Sequence, residues 1–189
     1  MNSPYCGRFQ VTQQFKGSAH DGLDLVGLDS KEIHATVTGK VIYAGWENEA
    51  NHRQGFGQFV CILGPDGNYY YYGHMSELRT TTGATVNCTD IIGVEGDTGY
   101  SFGSHCHYCV RPRFAAGCYL DVCQISGIPN ELGVYDDGYR PETKPSTPTN
   151  NEPETPTDDN SIDQQPVGYG RIVLNDKEYE LRLYEPIDE

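Results

Sequence analysis

Two clusters in this sequence combine residue types and spacing suited to chemistry: His20-Asp-Gly-Leu-Asp24 and His105-Cys-His107. Gly22 disfavours a helix over residues 20–24, and in an extended segment the even spacing sends His20 and Asp24 to one face. The same alternation puts the imidazoles of His105 and His107 on a common face of the strand-like run Ser104-His-Cys-His-Tyr-Cys-Val110. Neutral imidazole and carboxylate are zinc ligands, and three protein ligands plus water make an open, catalytic coordination sphere. Either cluster alone is a weak signal, since such pairs arise by chance or as surface features. Their sum is stronger, because four of the six histidines (20, 74, 105 and 107) lie in apolar, Gly-flanked segments. His34 and His52 have no motif neighbours and read as ordinary surface or partly buried histidines.

The elements that must position these groups read as strands. Short apolar stretches punctuated by Gly run from Val11 to about Tyr139, as in Ala35-Thr-Val-Thr-Gly-Lys-Val-Ile-Tyr-Ala44 and Gln58-Phe-Val-Cys-Ile-Leu63. Pro65-Asp-Gly-Asn68 has turn chemistry and separates the second stretch from Tyr69-Tyr-Tyr-Tyr72, predicting a hairpin. The four tyrosines fit a strand packed with aromatic residues on both faces better than a groove lining. The expected fold is all-β: an antiparallel, sandwich-type core with an open groove and short helices at most. At 189 residues the chain has room for one core plus an appendage.

Residues 140–166 hold 6 of the 11 prolines and only one large apolar residue, Ile162, which predicts an extended linker. The expected organisation is therefore a domain over residues 1–139, a linker over 140–166, and a hairpin segment over 167–189 built from Gly170-Arg-Ile-Val-Leu174 and Glu178-Tyr-Glu-Leu-Arg-Leu-Tyr184. An isolated hairpin is marginal in water, so this segment is expected to join another sheet, to self-associate with a second copy, or to be the remnant of a longer module.

The net charge of −14, half of it contributed by residues 140–189, argues against sequence-independent binding to nucleic acid or to anionic lipid. No apolar run is long enough for a membrane span, and no secretory signal pattern is present near the start, so no membrane insertion is expected. Three routes fit that pattern: action where the chain is made, exit from the cytoplasm by a route the sequence does not encode, or loss of a leader. The seven cysteines all precede residue 124; without a secretion signal, most are expected to be reduced, buried small hydrophobes.

Taken together, the motifs resemble the lysostaphin-type metallopeptidases of the M23 family. That family has an early His-x-x-x-Asp, a central Tyr-x-His-hydrophobic-Ser and a late His-x-His, which stand here as His20-Asp-Gly-Leu-Asp24, Tyr72-Gly-His-Met-Ser76 and His105-Cys-His107. Flanking segments agree, including Gly55-Phe-Gly-Gln-Phe-Val60 and Gly93-Val-Glu-Gly-Asp-Thr-Gly-Tyr-Ser-Phe-Gly-Ser104, and the match runs in order over roughly residues 8–115. The resemblance implies one zinc ion per chain, bound by His20, Asp24 and His107, with His74 and His105 flanking the attacking water. It also implies hydrolysis of cross-bridge or stem peptides in bacterial peptidoglycan, at the cell wall, as in a phage lysin or a bacterial autolysin.

One departure stands out. The family usually follows His-x-His with an aromatic residue and Glu, whereas Tyr108 is followed by Cys109. By alternation Cys109 shares the face of His105 and His107, and its plainest role is a buried structural thiol. Cys106 and Cys109 also spell Cys-x-x-Cys, but opposite facing on a strand argues against a redox pair. Two competing expectations are a non-catalytic M23-like module that binds wall or activates a hydrolase, and a Gly-rich β binding module with structural histidines. Both predict a chain without peptidase activity; the second predicts no stoichiometric zinc.

Overall fold

A computed structural model describes residues 2–138 and the backbone of residues 168–174 and 177–183. The linker expected over residues 140–166 lies outside the described residues.

The all-β expectation holds. In chain order the strands are β1 (Arg8–Gln13), β2 (Gly22–Gly27), β3 (Glu32–His34), β4 (Gly39–Trp46), β5 (Gln58–Leu63), β6 (Tyr69–Tyr72), β7 (Glu77–Leu78), β8 (Thr85–Val86), β9 (Ile91–Val94) and β10 (Cys106–Arg111). The short helix α1 (Val122–Ser126) and strand β11 (Gly133–Asp136) follow. Asp121 starts α1 by accepting the backbone N–H groups of Cys123 and Gln124, and Gly127, in the left-handed region, ends it. Eight strands form an antiparallel sheet in the order β11-β1-β2-β10-β6-β5-β4-β8, and β3-β9-β7 form a second, small sheet.

The predicted hairpin is β5–β6, with Leu63 opposite Tyr69. Its turn closes through Gly64 N–H donating to the Asn68 carbonyl at 2.9 Å, with Gly67 at a φ of 80° that a side chain would strain.

The large sheet has two different faces, set by the period-two alternation of its strands. Leu23 and Leu25 of β2, Cys106, Tyr108 and Val110 of β10, and Tyr70 and Tyr72 of β6 point into the main core, where Ile33 and Ile92 of the small sheet meet them. Thr36 ties this core together: its Oγ1 lies 2.7 Å from the Tyr72 hydroxyl and 2.9 Å from that of Tyr108. On the opposite face Phe59, Cys61, Tyr71 and Cys109 form a second buried cluster, edged by Tyr43, Phe56 and Tyr69. The four tyrosines of β6 thus pack on both faces, and Cys106 and Cys109 lie in different clusters, on opposite faces of β10. All seven cysteines fall within the described residues; no disulfide joins them, four are buried and Cys88 is exposed. Burial pushes the Cys61 thiol up to about 12, so it is inert at neutral pH.

As a separate unit, β12 (Gly168–Leu174) and β13 (Lys177–Leu183) pair antiparallel, with Leu174 opposite Lys177.

Candidate metal and peptidase site

The register of β2 against β10 builds the site. Asp24 stands directly opposite His107, on the face away from the main core, and Gly22 stands opposite Cys109. Facing residues of an antiparallel pair have Cβ atoms about 4.5–5.5 Å apart, so the carboxylate and imidazole meet without any loop rearrangement. Their closest approach, His107 Nδ1 to Asp24 Oδ1, is 2.9 Å. Gly22 is required by this closeness: a Cβ there would fall 2.6 Å from the Tyr108 carbonyl oxygen and 2.8 Å from His107 Nε2.

His20 arrives by a different route from the one its spacing predicts. It lies outside β2, two residues before the strand's start, in an isolated bridge to Gly17. Its ring is aimed by Nδ1, 2.7 Å from the Gln14 carbonyl, which brings Nε2 to 3.1 Å from Asp24 Oδ1. His105 precedes β10 in an isolated bridge to Gly96, with its Nδ1 2.7 Å from the Gly103 carbonyl and its Nε2 3.5 Å from Asp24 Oδ1. His74 takes a left-handed backbone conformation, φ 63°, held by its N–H donating to the Phe56 carbonyl at 2.7 Å. Its Nδ1 lies 2.7 Å from the Thr98 carbonyl, and its ring centroid is 4.6 Å from that of His105. The five sequence-predicted residues therefore converge.

The hydrogen bonds fix which ring nitrogens are available. A carbonyl can only accept, so in His20, His74 and His105 the nitrogen facing a carbonyl is the N–H, and Nε2 carries the lone pair when the ring is neutral. In His107 both nitrogens face carboxylates, Nδ1 at 2.9 Å from Asp24 Oδ1 and Nε2 at 3.2 Å from Asp21 Oδ1, so with Nε2 donating to Asp21 it is Nδ1 that a cation beside Asp24 would take. His20 Nε2 and His107 Nδ1 thus converge on one carboxylate oxygen of Asp24. A cation could replace the protons shared between these rings and the carboxylate, since one ligand atom from each residue lies within 4.8 Å of the other two. This donor set fits a metal ion with borderline preference for nitrogen and oxygen, such as zinc.

The local electrostatics keep the site's carboxylates charged. Burial opposes ionisation of Asp24, but hydrogen bonds from His107 and His20 outweigh it and hold the carboxyl well below its ordinary range. Burial likewise opposes a charge on His107, and the carboxylates of Asp21 and Asp24 override it and raise its pKa. His74 is shifted the other way: burial, then the neighbouring His105, lower it to about 4, so its imidazole is neutral at pH 7.

These groups line a groove of about 870 Å³ whose walls include Gln13, Glu47, Phe56, Tyr100 and Phe102. His34 and His52 lie elsewhere. His34 is buried with its Nδ1 2.8 Å from the Thr89 carbonyl, and exposed His52 stacks on Trp46 at a centroid distance of 3.6 Å.

Sequence reasoning missed two members of the site, Asp21 and Arg111. Arg111 Nη2 lies 2.7 Å from Asp21 Oδ2. The signal for Arg111 was present, because alternation from His107 through Cys109 carries it to the same face.

The chain belongs to Peptidase family M23, which matches residues 18–117. It is 32% identical over 93 residues to lysostaphin of Staphylococcus simulans, covering 49% of this chain and 18% of that protein. It is 31% identical over 107 residues to an endolysin of Staphylococcus phage 2638A, covering 54% of this chain and 21% of the endolysin. The chain thus spans about a fifth of the length of these relatives. Among solved structures, the catalytic domain of the antimicrobial peptidase lysostaphin from Staphylococcus simulans aligns with a TM-score of 0.52 at 26% identity, over 63% of this chain and 90% of that one. The catalytic domain of a variant prophage-encoded M23 protein from Enterococcus faecalis gives 0.53 at 26% identity, over 64% and 94%.

Proposed function

We propose that this chain is a zinc-dependent endopeptidase of bacterial peptidoglycan, acting at the cell wall, with one zinc ion held by His20, Asp24 and His107. The observation that carries the reading is the convergence of two imidazole nitrogens on the Asp24 carboxylate, with one ligand atom from each residue inside 4.8 Å of the others. Similarity to lysostaphin and to a phage endolysin supports the substrate class.

A zinc ion bound there supplies Lewis-acid charge, polarising a scissile carbonyl and lowering the pKa of a water. The chain's own residues do the rest. The groove takes an extended peptide between Phe56 and the Tyr100–Phe102 rim. His74 and His105 both present Nε2 toward the site, so one can take the proton of the attacking water while the other supports the developing oxyanion or protonates the leaving amine. The neutral state of His74 at pH 7 suits a proton acceptor.

The test is digestion of purified peptidoglycan, followed by mass spectrometry of the fragments and a count of new amino termini. Cleavage that is lost on chelation, restored by zinc and absent in His107→Ala is the expected result. A chain that holds one zinc ion yet cuts no wall chemotype would overturn the enzymatic reading and leave a wall-binding or hydrolase-activating module in its place. Fragment masses also identify the bond, whether within a glycine cross-bridge or beside a D-alanine.

A further inference from the structure

His107 is held from two sides. Its Nδ1 faces Asp24, while its Nε2 donates to Asp21 Oδ1 across 3.2 Å. Asp21 is itself fixed: its other oxygen accepts from Arg111 Nη2 at 2.7 Å. Arg111 is anchored in turn, with Nη1 donating to the Ala115 carbonyl at 3.1 Å and its guanidinium lying 5.1 Å and 4.7 Å from the ring centres of Phe56 and Tyr71. The aromatic stack continues outward, Phe114 lying on Tyr71 at 5.9 Å with the rings 8° from parallel. A chain of contacts therefore runs from the aromatic cluster through Arg111 and Asp21 to the back of His107.

An imidazole can bind a cation through either nitrogen, and the partner of the second nitrogen decides which one is used. His20 is oriented by a neutral carbonyl, whereas His107 is oriented by a carboxylate, which also raises the ring's basicity as a ligand. The path is open because Gly22 carries no side chain between Asp21 and the ring. Cys109, two residues beyond His107 on the same face, offers a buried thiol that also bonds to the ring, where the family resemblance leads one to expect Glu.

Resting on the metal reading above, we infer that Asp21, clamped by Arg111, is the positioning residue that directs His107 Nδ1 to the metal, supplying from the β2 side the carboxylate that β10 lacks. A competing use of the same atoms is a second cation among Asp21, His107 and Cys109, whose donor atoms also lie within 4.8 Å of one another. Arg111 opposes that use, because its guanidinium already occupies the free oxygen of Asp21 and repels a cation.

The experiment compares zinc dissociation constants of the wild-type chain, Asp21→Asn and Asp21→Glu, by competition with a chromophoric chelator, together with zinc stoichiometry. Thermal unfolding of each chelated chain reads folding separately from metal binding. Loss of such an orienting partner weakens metal binding by about 10–100-fold, which is the expected result for Asp21→Asn at an unchanged stoichiometry of one. Asp21→Glu, which keeps the carboxylate, recovers most of that loss. Asp21→Asn with wild-type affinity overturns the inference while leaving the three-ligand reading standing. Two ions per chain, falling to one in Asp21→Asn, overturns it in favour of a second site. A wild-type chain that takes up no zinc overturns the metal reading itself, and this inference with it.

Discussion

Glu95 offers the sharpest test of how the fold holds its site, because a fully buried carboxylate there gathers four donors from four segments. Its Oε2 accepts from the Tyr5 hydroxyl at 2.6 Å and from the Gly27 N–H at 2.8 Å, and its Oε1 accepts from Ser104 Oγ at 2.6 Å and from Lys31 Nζ at 2.8 Å. Lys31 is half exposed and can turn to water, so its loss counts for little, but the buried Gly27 N–H has no such exit and Tyr5 is left with only the Leu25 carbonyl at 3.1 Å. Hydrogen bonds to a charged group contribute about 1.5–3 kcal/mol each, and a buried donor left unpaired costs about 1–3 kcal/mol. Glu95→Gln keeps the shape and removes the charge, and should cost about 2–4 kcal/mol of a total near 5–15 kcal/mol. Burial opposes the charge on Glu95, but Lys31, Ser104, Tyr5 and Gly27 together hold its folded pKa below the ordinary 4.5. A depressed folded pKa contributes stability that is fully present above the unfolded value and lost as pH falls through the folded one. The difference between wild type and Glu95→Gln should therefore be constant from pH 7 down to about pH 5 and shrink below the ordinary value of 4.5. Urea unfolding of the chelated proteins across that range measures it directly. A cost below about 1 kcal/mol at pH 7, or a difference that does not shrink on acidification, would refute the reasoning.

Other substitutions probe the site and its supports. His74→Ala should leave zinc content at one per chain and lower peptidoglycan cleavage by about 10²–10⁴-fold, as metal analysis beside the cleavage assay would show. Gly22→Ala places a methyl 2.8 Å from His107 Nε2 and should weaken zinc binding, read by chelator competition. Thr36→Val strips the hydroxyl that bridges Tyr72 and Tyr108 and should cost about 1–3 kcal/mol in urea unfolding. Removing residues 145–189 should leave the urea midpoint and zinc content of the remaining chain unchanged, since residues 1–144 form a compact unit of their own. Sedimentation of both forms tests whether the removed segment drives self-association.

Much of this was legible because strand alternation is a local property. The shared face of His105, His107, Cys109 and Arg111, the two-sided packing of Tyr69 to Tyr72 and the β5–β6 hairpin all follow from period two and turn chemistry. Period two did not extend to His20, whose ring is set by a carbonyl six residues earlier and not by a strand. Long-range partners left no local trace. Nothing in the sequence around Glu95 announces that its carboxylate meets Tyr5, 90 positions away, or that Asp21 meets Arg111 across a similar separation. Those pairings depend on strand order, which hydrophobic pattern alone does not determine. The left-handed backbone of His74 was equally hidden, because its cost is offset by contacts with Phe56 and Thr98 that only the assembled fold provides.

The pairing of Asp24 with His107 also limits how such a domain can change in length. Because groove-facing and core residues occupy alternate positions of the same two strands, inserting or deleting one residue in β2 or β10 exchanges their roles. Tyr108 would then be turned to the groove and His107 into the main core, abolishing the site and the packing in one event. Length changes are better borne in connections that make none of the site's hydrogen bonds, such as the turn at Pro65–Asn68. The strands fix Asp24 and His107, while His20, His74 and His105 are held by the loops around them.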